Sequence, residues 1–278
     1  MDVPGNGSFD CVSRGKRTDF ACGDRVLITP SAPGQAVIQR ALPRASLLYR
    51  SDAWREKLIA ANVTQAVIVT AAVPSPHESL INRCLAAAEH AGIRAILVLN
   101  KSDLPELAAR FAALERYAAL GYPLLAVSAK RDIAPLRPAL RSQLSVLVGP
   151  SGVGKSTIVN ALVPDAAART DGMSRAPASG RHTTTHARLY PLDTESAIID
   201  SPGLQAFGLH HIDLEALAQA FVEFRPYLGG CRFRDCRHRS EPGCAIEAAV
   251  QQGEIAAWRL ALYRELAEER AGTRRAPR

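Results

Sequence analysis

Nine consecutive residues, Gly149-Pro150-Ser151-Gly152-Val153-Gly154-Lys155-Ser156-Thr157, have the types and spacing of a loop that cradles phosphate. Its glycines let backbone N–H groups turn toward phosphate oxygens, Lys155 reaches the terminal phosphates, and the Ser156 hydroxyl is placed to ligate Mg²⁺. The chemistry implied is binding and cleavage of a phosphoanhydride. Such a loop needs a strand before it and a helix after it. Leu144-Ser145-Val146-Leu147-Val148 reads as the buried strand, and Thr157 to Leu162 continues as an amphipathic helix.

A base-reading element lies upstream. Asn100-Lys101-Ser102-Asp103 closes the apolar run Ile93 to Leu99, which places it at the C-terminal end of a strand, on the ligand edge of a parallel sheet. The Asp103 carboxylate accepts hydrogen bonds from guanine N1–H and the exocyclic amine. Adenine offers neither, so a carboxylate here rejects it and argues against a phosphate-loop ATPase. Ser128-Ala129-Lys130, after the apolar stretch Pro123 to Val127, supplies a second base-side element whose backbone N–H groups meet the guanine carbonyl.

Two elements follow the phosphate loop. Asp200-Ser201-Pro202-Gly203 comes after the short strand Ala197 to Ile199, which suits a carboxylate holding Mg²⁺ through water and a glycine N–H meeting the γ-phosphate. Between them, Gly180-Arg181-His182-Thr183-Thr184-Thr185-His186 is polar and lacks hydrophobic period, so a loop is expected. One of Thr183, Thr184 and Thr185 completes the Mg²⁺ shell; we take Thr184, with Thr185 as the alternative. The order is base, base, phosphate, switch, switch, which describes a circularly permuted guanine-nucleotide domain. The segment after Asp200 is then directly attached to a switch.

That segment contains Cys231, Cys236, His238 and Cys244 within fourteen residues. Three thiolates and an imidazole make a closed tetrahedral Cys₃His zinc set with no open position, hence a structural site. Reduced, unliganded cysteines are the alternative, and no separate base accompanies any cysteine to make it a catalytic thiol. Cys11, Cys22 and Cys84 are scattered, which suits a reducing compartment.

Taken together, the five nucleotide motifs and the Cys231 to Cys244 cluster resemble the bacterial ribosome small-subunit-dependent GTPases of the RsgA type, over essentially the whole chain. The resemblance implies an α/β fold: a circularly permuted P-loop GTPase domain with an N-terminal small β-barrel (OB-fold) and a C-terminal α-helical zinc-binding domain. It implies GTP hydrolysis stimulated by the small ribosomal subunit, late in that subunit's maturation, with rRNA and assembly factors as partners. The family's zinc ligands fall on Cys231, Cys236, His238 and Cys244. Leu204 stands where many small GTPases carry a glutamine that orients water. In similar proteins a histidine of the threonine-rich loop takes that catalytic role, and His182 occupies the matching place, with a solvated loop histidine as the alternative. Leu204 also supports a second function, a nucleotide-regulated RNA-binding module with little intrinsic hydrolysis.

The elements that must position these residues divide the chain at 1–45, 46–210 and 211–278. In the first region Phe9 to Val12, Arg25 to Thr29 and Ala36 to Gln39 read as short strands between Gly and Pro, a length too small for five full strands. In the second, Ala66 to Thr70, Glu78 to Ala91, Ile93 to Leu99, Glu106 to Leu120, Pro123 to Val127 and Leu144 to Gly149 alternate strand and helix, which predicts a parallel sheet covered on both faces. In the third, Leu214 to Phe224 and Ala245 to Leu266 read as helices bracketing the cysteine cluster. The 278 residues are 47% hydrophobic, enough for a sizeable core, and carry a formal charge of +7, which favours a polyanionic partner. Arginine clusters at Arg14 to Arg25, Arg40 to Arg50 and Arg232 to Arg239 extend that footprint outside the nucleotide region. Met1 to Gly7 is polar and no run approaches the roughly twenty apolar residues of a membrane span, so a cytoplasmic location is expected. Oligomeric state has no signature in the sequence, and a monomer is the expectation.

Overall fold

The computed structural model describes residues 1–3, 7–13, 19–51, 56–163, 187–201 and 207–273. At its centre is a six-stranded sheet built from β8 (Gln65–Ala71), β9 (Arg94–Asn100), β10 (Leu124–Ala126), β11 (Leu144–Val148), β12 (Arg188–Pro191) and β13 (Ala197–Asp200). The spatial order is β10-β9-β8-β11-β13-β12. Every pairing is parallel except β12 against β13. The sequence reading did not anticipate β12, a short antiparallel edge.

Strand β8 is buried at all seven positions, which explains the consecutive apolar residues Ala66 to Val69 in place of an alternation. Ala66 and Ile68 face one layer, shared with Leu85 of helix α1 (Glu78–His90). Val67 and Val69 face the other, shared with Ile158 and Val159 of helix α4 (Lys155–Leu162). Helices α2 (Leu107–Ala118) and the single-turn α3 (Arg137–Leu140) complete the connections between parallel strands.

Ahead of the sheet, β1 (Asp2–Val3) pairs with β2 (Gly7–Ser8), and β3 (Asp10–Ser13), β4 (Val26–Ala32) and β5 (Gln35–Ala41) form a sheet of order β3-β5-β4. A hairpin of β6 (Leu47–Ser51) and β7 (Glu56–Ala61) follows. A bridge between Cys22 and Ala60 joins the small sheet to this hairpin. The hairpin lies in a stretch for which the sequence reading offered no element.

Beyond the central sheet come α5 (Leu214–Gln219), a 3₁₀ turn (Val222–Tyr227), α6 (Ala245–Gln251) and α7 (Ala257–Thr273). The expected helix over 245–266 is thus two helices. Gly253 adopts φ 77°, a left-handed conformation that ends α6 and lets the chain turn into α7. Asp213 caps α5 by accepting from Ala216 N–H at 2.8 Å. Arg259 of α7 is buried, donates to Asn82 Oδ1 of α1 at 2.7 Å, pairs with Glu223, and lies 4.3 Å from the Phe221 ring centroid. Asn82 in turn donates to Tyr117 OH of α2 at 2.8 Å.

Candidate nucleotide and metal sites

Neighbouring strands β8 and β11 are the point where the strand order reverses, and ligands of open α/β sheets bind beyond the carboxyl ends of strands at such a point. The phosphate loop leaves β11 there. Gly149 has φ 147°, and a Cβ on it would come 2.2 Å from the Val69 carbonyl oxygen of β8. Only glycine lets the loop start this close to the neighbouring strand. Gly154, at φ 97°, precedes α4, and a Cβ there would stand 2.4 Å from Asn100 Nδ2.

Asn100 is buried and ties three segments together. Its Nδ2 donates to Val153 O at 2.9 Å, and its Oδ1 accepts from Ala129 N–H at 3.0 Å. Lys101, at φ 62°, reaches the same loop from above, donating to Gly152 O at 2.9 Å and Val73 O at 2.6 Å. Ser128 Oγ donates to Asp103 at 2.6 Å, which with Arg131 and Lys130 nearby holds the Asp103 carboxyl below the usual range. Asp103 is therefore an oriented acceptor at neutral pH.

Lys155 opens α4, and its ammonium donates to Gly149 O at 2.9 Å and Pro150 O at 2.8 Å. Burial pulls its pKa down to about 8, against a smaller opposing pull from Asp200. Ser156 Oγ donates to Asp200 Oδ2 at 2.8 Å across the ends of β11 and β13. These two oxygens are hard donors, the type Mg²⁺ takes. Ser201 Oγ donates to Leu147 O at 2.5 Å and pins the chain where it leaves β13. Asn100, Lys101, Asp103, Ser128, Ala129 and Lys130 thus converge with Gly149 to Thr157 and Asp200 on one edge. His182, the threonines Thr183 to Thr185, Gly203 and Leu204 lie outside the described residues. The links through Val73, Val153 and Ser201 were missed from sequence, because a backbone carbonyl at a loop junction leaves no residue-type signal.

The second site is the cysteine cluster, whose four donor atoms lie within 4.8 Å of one another. Cys231, Cys236 and Cys244 Sγ stand 3.6, 3.7 and 3.4 Å from His238 Nδ1. Tetrahedral coordination at about 2.3 Å to sulfur and 2.0–2.1 Å to nitrogen gives S···N separations of about 3.6 Å, so the donor set fits a zinc-sized cation through Nδ1. Ala245 N–H donates to Cys231 Sγ at 3.3 Å. Glu241, which burial alone would make less acidic, accepts from the N–H groups of Arg237, Ser240 and Arg239 at 2.8–3.1 Å and is held down to about 2. From α7, Tyr263 OH donates to Arg237 O and Arg264 to His238 O, both at 3.2 Å.

A profile of the RsgA GTPase family matches residues 41–210, more than half of the chain. The chain belongs to the RsgA GTPase family. It is 53% identical over 270 residues to the small ribosomal subunit biogenesis GTPase RsgA of Neisseria meningitidis serogroup B (strain ATCC BAA-335 / MC58), covering 97% of this chain and 88% of that protein. The protein of the same name from Nitrosospira multiformis is 55% identical over 261 residues, 93% of this chain and 83% of the relative. Among solved structures, YjeQ from Thermotoga maritima is similar with TM-score 0.71 at 31% identity, covering 94% of this chain and 90% of that one. The circularly permuted GTPase YloQ gives TM-score 0.68 at 28% identity, covering 97% and 88%. As an RsgA-family member the chain is a GTPase on the permuted α/β plan. The family implies Mg²⁺ with GTP, and the Cys₃His group could hold a metal ion. Among the described residues no helix is long and apolar enough to cross a membrane.

Proposed function

We propose that this chain binds the small ribosomal subunit through its rRNA and hydrolyses GTP late in that subunit's maturation, promoting departure of assembly factors. The observation that carries the nucleotide half is Asn100, which joins the phosphate loop to the base-side segment at 2.9 and 3.0 Å. Base and phosphate recognition are thereby held in one rigid unit, the requirement for a site that reads GTP as a whole. The relatives' name, small ribosomal subunit biogenesis GTPase, and the net charge of +7 support the partner.

In this reading Asp103, oriented by Ser128, accepts from the guanine edge, and Ala129 and Lys130 line the base. Backbone N–H groups of Ser151 to Thr157 meet phosphate oxygens. Lys155 moves its three donors from Gly149 O and Pro150 O to the β- and γ-phosphates. Ser156 and Asp200, with Thr184, would hold Mg²⁺, which neutralises charge developing on the phosphate oxygens. Gly203 N–H meets the γ-phosphate and His182 orients the attacking water. Zinc in the Cys231, Cys236, His238 and Cys244 set fixes the C-terminal loop. The domains divide near 45 and 210, the chain acts as a monomer, and its compartment is the cytoplasm.

The test is GTP turnover with and without purified small subunits, with ATP and large subunits as controls. Stimulation confined to GTP and the small subunit is expected. Equal turnover in all four conditions would overturn the reading, and parent-like stimulated turnover by His182→Ala would remove that residue from catalysis.

A further inference from the structure

After the second switch comes Phe207, which is buried in the core with Leu48 and Leu209. From Gly208 to His211 the chain lies along the end of β6, where Ser51 contacts Gly208, His210 and His211. Ser51 N–H donates to Gly208 O at 3.1 Å, and Ser51 O accepts from His210 N–H at 3.4 Å. Ser51 Oγ accepts from His211 N–H at 2.8 Å and stands 2.8 Å from His211 Nδ1. The serine hydroxyl thus joins both the backbone N–H and the ring of His211. Burial, with His90, Arg270 and His210 adding, lowers the His211 pKa to about 4 and keeps the ring neutral at neutral pH. The imidazole packs on Tyr49 of β6 at 4.0 Å between centroids, with the His90 ring of α1 at 5.9 Å.

The hairpin is fastened at its other end. Ala61 N–H donates to Cys22 O at 2.9 Å, and Asn62 bridges Gly23 O and Ala45 N–H at 3.0 and 2.9 Å. Arg44 forks onto Asp24 with two contacts of 2.7 Å. A Cβ on Gly23 would come 2.2 Å from Ala61 O, so the two backbones touch. An unbroken set of short polar contacts therefore runs from the segment after the switch, through β6 and β7, to the strands at the N-terminus.

We propose that Ser51 and His211 are positioning residues that anchor the trailing end of the second switch to β6, so that the switch's nucleotide-dependent displacement is delivered to the hairpin and the N-terminal sheet. The proposal rests on the GTP-binding reading above and is independent of the ribosomal partner. Ser201, pinned on Leu147, stands at the near end of the switch, and the Ser51 contacts begin at Gly208 on its far side. A displacement of the switch works against one anchor or the other; the Ser201 anchor lies within the central sheet, and the Ser51 anchor is the one that lies outside it, on the hairpin.

The test is hydrogen exchange of the hairpin amides over 47–61 in the full chain without ribosomes, loaded with GDP or with a non-hydrolysable GTP analogue. Ser51→Ala, His211→Phe and Ser51→Thr are compared with the parent. His211→Phe keeps the ring on Tyr49 and carries the comparison if Ser51→Ala folds poorly. The parent's hairpin exchange is expected to differ about fivefold or more between nucleotides, the lower end of measured site-to-site couplings. Ser51→Ala and His211→Phe should each abolish that difference while binding both nucleotides as the parent does, the double variant should add nothing, and Ser51→Thr should restore it. A parent hairpin indifferent to nucleotide, or variants that keep the difference, would overturn the anchor. Nucleotide affinity is read separately by titration: a parent that binds neither nucleotide overturns the GTPase reading and the anchor with it.

Discussion

Lys155 sits in an environment that disfavours its own charge, and that has a consequence for binding. Its folded pKa of about 8 lies below its ordinary 10.5, so the folded, nucleotide-free protein binds fewer protons than the unfolded chain between those values. Stability of the free protein therefore rises with pH across that window, and below it the buried charge costs about 3 kcal/mol. Phosphates brought to the amine favour the charged form. GTP binding should accordingly take up close to one proton at pH 9 and weaken as pH rises through 8, measured by calorimetry in buffers of different ionisation enthalpy. Lys155→Met should abolish GTP binding yet raise the melting temperature of the free protein at pH 7; a lowered melting temperature would show that the amine is not strained. Gly149→Ala should lose GTP binding and about 2–4 kcal/mol of stability by urea denaturation, because its Cβ collides with backbone that cannot move aside. The motif residues were legible because phosphate chemistry demands fixed types at fixed spacing. The Asn100 junction was not, since it depends on three loops separated by tens of residues meeting at one side chain.

Element by element, the structure separates what periodicity reports from what it omits. β8, β9 and β11 announced themselves as apolar runs because both faces are covered. The β6–β7 hairpin gave no such signal, its outer residues being charged and only half of its face buried. The segment 231–244 contains no helix or strand, so the cysteine cluster, legible from four donors, is what gives it shape. Its supports, Glu241 and the α7 side chains Tyr263 and Arg264, were invisible in sequence because they act through backbone N–H and carbonyl groups. Elemental analysis should return one zinc per chain. Chelation or Cys236→Ser should speed hydrogen exchange throughout 231–244 while the sheet amides keep their protection, since the metal-binding free energy is the loop's folding free energy. Unchanged exchange on metal removal would show that Glu241 and α7 suffice. The anchor element has its own pH signature. His211, depressed to about 4 by burial and by His90, Arg270 and His210, contributes stability present above about 6.5 and lost as pH falls toward 4. His211→Phe should flatten the acid slope of the melting temperature between those values by an amount equivalent to about 1–2 kcal/mol, discounted because the ring is only half-buried.

For the whole molecule, permutation sets the mechanical problem. The second switch is not followed by the rest of the nucleotide domain but by a separate helical layer, which must be held against the sheet if switch motion is to reach anything defined. Arg259 does the holding. It inserts from α7 between Glu223 of the 3₁₀ turn and Asn82 of α1, and Asn82 continues to Tyr117 of α2, so one guanidinium links the C-terminal layer to two helices of the nucleotide domain. The Trp258 ring adds edge-on contact with Tyr117 at 5.3 Å. A buried ion pair adds little net stability, because desolvation offsets attraction, but removing one partner strands the other. Arg259→Ala should therefore cost about 3–5 kcal/mol, with Glu223 and Asn82 left unsatisfied, whereas Arg259→Met with Glu223→Leu should cost far less by filling the same space with apolar volume. The decisive readout is cooperativity. With the link intact, urea should unfold sheet and helical layer in one transition. In Arg259→Ala made on a Trp54→Phe background, the fluorescence of Trp258 at this junction should change at lower urea than that at which the hydrogen-exchange protection of the sheet amides is lost. A single coincident transition in the variant would mean that apolar packing alone joins the two layers, and that Arg259 only selects their register.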